Sequence, residues 1–189
     1  MAERDRREEE EQGILRTLGG WLLYILVIIG LTYLIITFVG QRTRVSGSSM
    51  ETTLSDGDNL IVDKLTYHFR EPRRFDIIVF PYQHEENTYY IKRIIGLPGD
   101  TVQVIDGYVY INNEILTSDV YGAEVMDSPG IAAEPVVLGE DEYFVLGDNR
   151  NHSSDSRDPS VGVLRREHLI GRAWIRIYPF DKLGVIRHE

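Results

Sequence analysis

The chain has 189 residues, a formal net charge of −10 and no cysteine. Nucleic-acid binding depends on clustered lysine and arginine side chains that neutralise phosphates, so a chain this acidic is a poor candidate for a nucleic-acid-binding protein. The absence of cysteine excludes disulfides and thiolate chemistry, and it leaves a folded domain dependent on its apolar core.

Residues 1–12 are almost entirely charged and include the consecutive glutamates Glu8 to Glu11. A segment of this composition cannot bury enough apolar surface to fold. We therefore predict a disordered N-terminal tail.

An uncharged apolar stretch follows, and we predict that residues 13–40 form a membrane anchor. Leu18 to Val39 contains 22 residues and no Asp, Glu, Lys, Arg or His. As a helix it would be roughly 33 Å long, enough to cross a hydrocarbon core of about 30 Å. A buried core helix usually keeps more polar positions than Thr32 and Thr37, and a cleaved signal peptide has an apolar region of roughly 7–15 residues. An uncleaved single span is the better interpretation.

The orientation of the span follows from the lysines and arginines near its ends, because positively charged segments stay in the cytoplasm. Arg42 and Arg44 follow the span closely, whereas four arginines precede it: Arg4, Arg6, Arg7 and Arg16. This bias predicts a protein of the cell membrane whose N-terminus is cytoplasmic. The remaining domain, residues 41–189, would then be extracytoplasmic and close to the lipid bilayer.

A run of small residues, Ser46-Gly47-Ser48-Ser49-Met50, lies just after the predicted anchor. Such a run in isolation is typical of a flexible linker. Met50 and Leu54 bring in apolar side chains at once, however, so we expect the run to belong to the folded domain. Small residues also let backbone N–H groups approach a substrate carbonyl, as an oxyanion hole requires. Ser49 is therefore a candidate nucleophile at the membrane surface.

Residues 41–189 have the periodicity of short β-strands separated by turns. Asp106-Gly107 lies between two β-favouring runs and predicts a hairpin, whereas residues 119–134 predict an irregular external loop. The predicted fold class is mainly β, with coiled or barrel-like antiparallel sheets. The predicted strands are Leu60–Val62, Phe75–Phe80, Thr88–Ile95, Thr101–Ile105, Tyr108–Ile111, Pro135–Leu138, Glu142–Leu146 and Ala173–Tyr178.

The turn around Pro72 carries three arginines, Arg70, Arg73 and Arg74. They form either a solvated turn or a contact with anionic lipid headgroups, and the sequence favours the solvated turn.

A serine nucleophile needs a base, and the five histidines have no recognisable catalytic or metal-binding spacing. Lys92 is the better candidate. Side chains alternate between the two faces of a strand, so Lys92 points the same way as Tyr90 and Ile94. Burial among apolar groups disfavours the ammonium form and lowers the pKa of a lysine. The alternative is an edge-strand lysine that reaches out to solvent.

The segment Gly147 to Arg157 directly follows the apolar run Tyr143 to Leu146 and is rich in Asp, Asn, Ser and Arg. It could be a generic polar loop. Beside a core strand, such short hydrogen-bonding groups and two arginines favour an organised wall of a site, in which a serine orients the lysine amine.

These three segments resemble the signature boxes of type I signal peptidases, the membrane-anchored Ser/Lys proteases that cleave signal peptides from exported proteins. Ser49-Met50 is similar to the nucleophile box, Tyr90 to Asp100 to the lysine box, and Gly147 to Arg157 to the third box. The resemblance spans Val45 to about Pro179 and is closest to the compact forms of Gram-positive bacteria. It implies a membrane-bound serine endopeptidase that needs no cofactor and no metal.

The resemblance also implies roles for individual residues. Ser49 would be the acyl-forming nucleophile, its backbone N–H an oxyanion donor, and Lys92 the general base. Ser153 would supply the hydroxyl that positions the lysine amine. Four residues would be structural supports around the site: Arg93, Asp148, Asp155 and Arg157. The implied partners are signal peptides of preproteins with small residues before the cut.

This chain departs from the family pattern at two positions. Thr52 stands where proline is common, which puts the local rigidity in doubt. Gly47 stands where some members have a serine that donates to the oxyanion, so the second donor is unassigned. The oligomeric state is equally open.

Three other functions compete with this one. They are a self-cleaving repressor-type Ser/Lys peptidase, a non-enzymatic membrane-anchored β domain that binds an extracytoplasmic partner, and a specialised signal peptidase for a dedicated substrate such as a pilin. A membrane span and the lack of a DNA-binding segment count against the first.

Overall fold

The computed structural model describes residues 2–34, 40–85, 88–122 and 124–188, which belong to two separate units divided after residue 39. The first unit is one helix, α1, Ala2–Leu34. Its segment Arg16–Tyr33 is long and apolar enough to cross a membrane, and large apolar side chains from Leu18 to Tyr33 are exposed. The end of the predicted span, residues 35–39, lies outside the described residues.

The N-terminal tail differs from the prediction of disorder, because α1 already begins at Ala2. Glutamate, arginine and glutamine are good helix formers. Once the apolar segment is helical, each added residue contributes a backbone hydrogen bond without a new nucleation step. The low hydrophobicity of residues 2–12 therefore does not prevent them from being part of a helix. Gly40 also differs from its predicted place in the anchor, because it begins the first strand.

The second unit contains two antiparallel sheets. The larger sheet has eight strands in the order β1-β2-β11-β3-β4-β9-β10, with β12 paired to β11. Its strands are β1 Gly40–Arg44, β2 Asn59–Asp63, β3 Ile77–Pro81, β4 Tyr89–Gly96, β9 Glu142–Leu146, β10 Leu164–Arg165, β11 Gly171–Tyr178 and β12 Gly184–Val185. A short helix, α2 Thr66–Phe69, lies between β2 and β3.

The smaller sheet has four strands in the order β7-β6-β5-β8. They are β5 Thr101–Ile105, β6 Tyr108–Ile111, β7 Glu114–Ile115 and β8 Val136–Val137. The predicted hairpin joins β5 to β6, and its turn residues Asp106 and Gly107 have φ angles of 50° and 79°. Positive φ at both positions is the geometry that favours Asp-Gly.

The end of β4 brings the two sheets together. A Cβ on Gly96 would lie 2.6 Å from Val102 Cγ2 and 2.7 Å from Leu138 Cδ1, so only a glycine lets the strand pass this close to the smaller sheet. Phe144 and Leu146 of β9 are fully buried in the same cluster. The mainly β, antiparallel prediction is confirmed, and all eight predicted strands have counterparts. Four strands were missed: β1, β7, β10 and β12.

Candidate active site

Lys92 lies in β4, which is an internal strand with β3 on one side and β9 on the other. Only 3% of Lys92 is exposed. The interpretation as an edge-strand lysine in solvent is therefore wrong. Burial lowers the pKa of Lys92 to about 8, although the carboxylates of Asp155 and Asp148 act in the opposite direction. A lysine with this pKa is partly neutral near pH 7, so it can accept a proton.

The Lys92 amine contacts Ser49. Its Nζ lies 2.8 Å from Ser49 Oγ and 3.1 Å from the carbonyl oxygen of Ile91. The Tyr90 ring centroid lies 5.0 Å from Nζ, close enough for a cation–π interaction that favours the ammonium form. Ser49 and Lys92 are 43 positions apart in sequence, and the fold places them within proton-transfer distance.

Ser49 begins a tight turn that is part of the folded domain. Met50 and Leu54 are buried, and the backbone N–H of Leu54 donates to Met50 O at 2.8 Å. Asn149 ties this turn to the third segment: its backbone N–H donates to Ser49 O and its side-chain amide donates to Ser48 O, both at 3.1 Å. The serine run is therefore not a flexible linker.

Arg93 and Asp148 form a fully buried ion pair on the strand face opposite Lys92. Arg93 Nε donates to Asp148 Oδ1 at 2.8 Å and Arg93 NH2 to Oδ2 at 2.7 Å, with neither side chain exposed. Thr53 Oγ1 donates to Asp148 Oδ2 at 2.5 Å, and the Thr53 carbonyl accepts from Arg176 at 2.6 Å. Thr53, four residues after Ser49, thus anchors the turn that lacks a proline at Thr52. No sequence signal identified Thr53 or Arg176.

Asp155 and Arg157 form a second buried pair. Arg157 Nε and NH2 each donate to Asp155 at 2.9 Å, and Asp155 Oδ2 also accepts the backbone N–H of Gly147 at 3.1 Å. Arg150, which the sequence did not single out, donates to Gly147 O at 3.0 Å and pairs with Asp119 at 2.7 Å. The segment Gly147 to Arg157 is therefore an organised wall and not a generic polar loop.

Ser153 is near the dyad but does not make the predicted contact. Its Oγ is buried and has no hydrogen-bond partner among the described residues. A Cβ on Gly147 would collide with this hydroxyl and with the Ser49 carbonyl, so Ser153 packs directly against the serine turn. The hydrogen bonds of the Lys92 amine go to Ser49 and Ile91 instead.

A cleft of about 290 Å³ opens above the dyad. Val45, Met50 and Ile91 contribute apolar walls, and His152 is among the polar lining residues. Gly47 also lines it with a φ of 87°, a conformation that favours glycine, but its backbone N–H donates to Asp56 Oδ1 at 2.9 Å. The Gly47 N–H is thus already engaged and is not the second oxyanion donor. No group of three or more acidic or histidine side chains able to hold a metal occurs among the described residues.

Comparisons with known proteins place this chain in one family. The family model described as signal peptidase, peptidase S26, matches residues 18–178. A probable signal peptidase I-2 of Synechocystis is 40% identical over 158 residues, which cover 81% of this chain and 70% of that protein. The signal peptidase I of Bacillus licheniformis is 33% identical over 182 residues, covering 93% and 97%. A crystal structure of a signal peptidase I from Enterococcus faecalis is 36% identical, covers 55% of this chain and 97% of that one, and has a TM-score of 0.46.

The buried Arg93–Asp148 pair predicts a large loss of stability in Arg93→Met. The substitution leaves the Asp148 carboxylate buried without its cation, and breaking a buried pair in this way destabilises a protein by about 3–5 kcal/mol. We expect the urea midpoint to fall accordingly. The double variant R93M/D148L removes both charges and should recover much of the loss. Equal destabilisation of the single and double variants would contradict this account.

Proposed function

The chain belongs to the signal peptidase I family, serine endopeptidases that cleave signal peptides from exported proteins, and we propose that Ser49 and Lys92 are its catalytic dyad. The observation that carries the proposal is the 2.8 Å contact between the buried Lys92 amine and the Ser49 hydroxyl. A serine hydroxyl is a weak nucleophile until an adjacent base takes its proton.

The reaction proceeds by two transfers of the acyl group. Neutral Lys92 takes the proton of Ser49 as Oγ attacks the scissile carbonyl, and the Ser49 backbone N–H donates to the oxyanion. The tetrahedral intermediate collapses, Lys92 gives its proton to the leaving amine, and the acyl-enzyme remains. Lys92 then takes a proton from water, the hydroxide attacks the ester, and the proton returns to Ser49 as the signal peptide leaves.

Ser153 acts in the second half of this cycle. Once Oγ of Ser49 is acylated, it is a poor hydrogen-bond acceptor for the Lys92 amine. The buried Ser153 hydroxyl has no hydrogen-bond partner in the part of the chain that the structure describes, and an unsatisfied buried hydroxyl gains free energy from a partner. It therefore holds the amine while Lys92 activates water.

The supporting residues act on position and charge. The Arg93–Asp148 pair joins β4 to the third segment, and the Arg157–Asp155 pair holds the third segment together. The carboxylates of Asp148 and Asp155 raise the pKa of Lys92, and the positive charge of the arginine paired with each one acts against that effect. A base near neutral pH requires this compensation, because an uncompensated negative charge favours the ammonium form.

The substrate is an extended segment with small residues before the cut. A cleft of about 290 Å³ leaves room for small side chains. Thr43 and Arg44 of β1, the edge strand of the larger sheet, and the buried Val45 after it line the cleft together with Tyr89 to Lys92 of β4. An extended peptide can add to such an edge through backbone hydrogen bonds. Signal peptides that end in Ala-x-Ala fit this description.

The chain spans the cell membrane once through α1, with its N-terminus cytoplasmic and its peptidase domain outside. Four arginines precede the span and two follow it closely, which favours this orientation over the reverse. Ten positions separate Val39 from Ser49, at most roughly 33 Å of extended chain, and we propose that Ser49 acts at the bilayer surface, where the end of a signal peptide emerges.

We expect Ser49→Ala and Lys92→Ala each to abolish cleavage, because one removes the nucleophile and the other its base. The measurement is release of the mature product from a panel of preproteins by the full chain in detergent. Ser118→Ala and Lys182→Ala, both exposed and outside the cleft, are matched controls that should retain activity. Cleavage of a single preprotein such as a pilin would indicate a dedicated enzyme, and turnover by either dyad variant would refute the dyad.

The rate kcat/KM should depend on pH through Lys92. Only the neutral amine accepts a proton, so kcat/KM should rise about tenfold per pH unit below the pKa of about 8 and level off above it. Tyr90→Leu removes the ring that favours the ammonium form of Lys92. The rise of kcat/KM with pH should therefore move to lower pH by about half a unit or more. Tyr90→Phe keeps the ring and should leave the rise in place. If kcat/KM rose over the same pH range in the parent chain, Tyr90→Leu and Tyr90→Phe, the assignment of this pKa to Lys92 would be contradicted.

The proposed orientation predicts which end of the chain a protease reaches from outside the cell. In intact spheroplasts, external protease should degrade an epitope at Glu189 and spare one placed before Met1. Permeabilised spheroplasts, in which both epitopes should be lost, are the control. Protection of the C-terminal epitope would reverse the orientation.

A further inference from the structure

A second cavity, of about 340 Å³, shares no lining residue with the Ser49–Lys92 cleft. Five arginines line it: Arg70, Arg73, Arg74, Arg172 and Arg187. One carboxylate, Asp76, lines it as well. We call this the arginine cavity. Such a concentration of positive charge is unexpected in a chain with a net charge of −10.

Three distant segments meet at the arginine cavity. The turn before β3 supplies Arg70 to Arg74, β11 supplies Arg172, and the segment after β12 supplies Arg187. This last segment is firmly seated, because Ile186 is buried and its N–H donates to Trp174 O at 2.8 Å. Two residues further on, His188 Nδ1 accepts the backbone N–H of Ile77 at 2.9 Å. The arginines therefore converge through the fold and not through a loose tail.

Asp76 is too fully engaged to balance these charges. Arg70 donates to both of its oxygens at 2.9 and 3.2 Å, the Tyr67 hydroxyl donates at 3.1 Å, and the Arg73 backbone N–H at 3.0 Å. Asp76 is thus satisfied mainly by Arg70.

The other arginines share little of that negative charge. Arg74 pairs with Asp100 at 3.0 Å. Arg172 lies 3.5 Å from the occupied Asp76, and its buried Nε has no acceptor in the described part of the chain. The Arg73 and Arg187 side chains are exposed and have no ion-pair partner among the described residues. Donors and positive charge thus exceed acceptors around the cavity.

The buried ring of His188, which also lines the arginine cavity, is neutral. Its Nδ1 accepts a hydrogen bond, so the ring is neutral with its proton on Nε2. Burial, reinforced by the charge of Arg172, lowers the pKa of His188 to about 4. His188 therefore adds no positive charge to the cavity near neutral pH, and the arginines supply that charge.

We propose that the arginine cavity binds a phosphate group through Arg73, Arg172 and Arg187. Planar guanidinium groups donate pairs of parallel hydrogen bonds to phosphate oxygens. A phosphate offers more acceptor oxygens than a carboxylate, so it can accept hydrogen bonds from several guanidinium groups at once. The same chemistry occurs in a phospholipid headgroup and in a free phosphate. Val185, which lines the cavity and is 66% exposed, gives the rim an apolar side chain that an acyl chain could contact.

The test is calorimetric titration of the full chain, held in a neutral detergent without phosphate and at constant ionic strength. One probe is inorganic phosphate, and the other is dihexanoyl phosphatidylglycerol below its micellar concentration. The double variant R73S/R187S removes two exposed arginines, so its unfolding midpoint without probe should match that of the parent chain. Arg165→Ser removes an exposed arginine outside the cavity and is the matched control.

We expect saturable binding of one probe per chain, weakened at least about tenfold in R73S/R187S and unchanged in Arg165→Ser. Tighter binding of phosphatidylglycerol identifies a lipid headgroup, and tighter binding of inorganic phosphate identifies a free phosphate. The proposal is overturned if neither probe saturates, or if R73S/R187S binds as well as the parent chain. Preprotein cleavage by R73S/R187S should be unchanged, since neither arginine lines the Ser49–Lys92 cleft.

Discussion

The Lys92 amine lies 2.8 Å from the Ser49 hydroxyl in a place where 3% of the lysine is exposed. Water would keep that amine protonated, whereas burial, opposed by the carboxylates of Asp155 and Asp148, lowers its pKa to about 8. A shift of this size corresponds to on the order of 3 kcal/mol of destabilisation while the lysine remains charged. The strands around β4 therefore have to supply enough apolar packing to offset a side chain that opposes folding. Placing Lys92 in an internal strand, with β3 and β9 on either side, meets that requirement.

Burial of the Lys92 amine would not be enough to lower its pKa if the nearby carboxylates had no positively charged partners. Asp148 and Asp155 both act to raise the pKa of Lys92, and each is held by an arginine that is itself buried. The ion pairs thus have an electrostatic role beside their structural one. Buried pairs contribute little net stability compared with apolar packing, but each fixes one geometry because misplacement leaves a charge unpaired. In this domain that geometry joins the serine turn, β4 and the segment after β9.

Much of this arrangement could be predicted from the sequence, because it depends on local patterns. The alternation of side chains along a strand predicts which face of β4 Lys92 occupies, and the apolar residues after Ser49 predict that it belongs to the folded domain. Asp106-Gly107 predicts a hairpin, which is confirmed. Contacts between distant segments carry no such pattern. Thr53 and Asp148 are 95 positions apart, and Arg150 and Asp119 are 31 apart, so nothing local announces either contact. The strand β1, Gly40–Arg44, was missed because its polar residues lack alternation and its pairing with β2 defines it.

The same limit explains why the sequence favours a solvated turn around Pro72, where the fold forms the arginine cavity. Arg70, Arg73 and Arg74 are adjacent in sequence, but Arg172 and Arg187 join them only through the fold. Near Ser49 and Lys92, each buried carboxylate has its own arginine, so the local charge is close to balanced. Such a site suits a peptide bond, which is uncharged. At the arginine cavity, Asp76 is the one lining carboxylate among five arginines, and the balance stays positive even though Asp100 pairs with Arg74. The net charge of −10 describes neither the Ser49–Lys92 cleft nor the arginine cavity. Salt in the solvent screens charges beyond about 10 Å, so the potential at each site depends on its nearest charged groups. The chain as a whole repels anions weakly, whereas this cavity, with its donors already in position, attracts them.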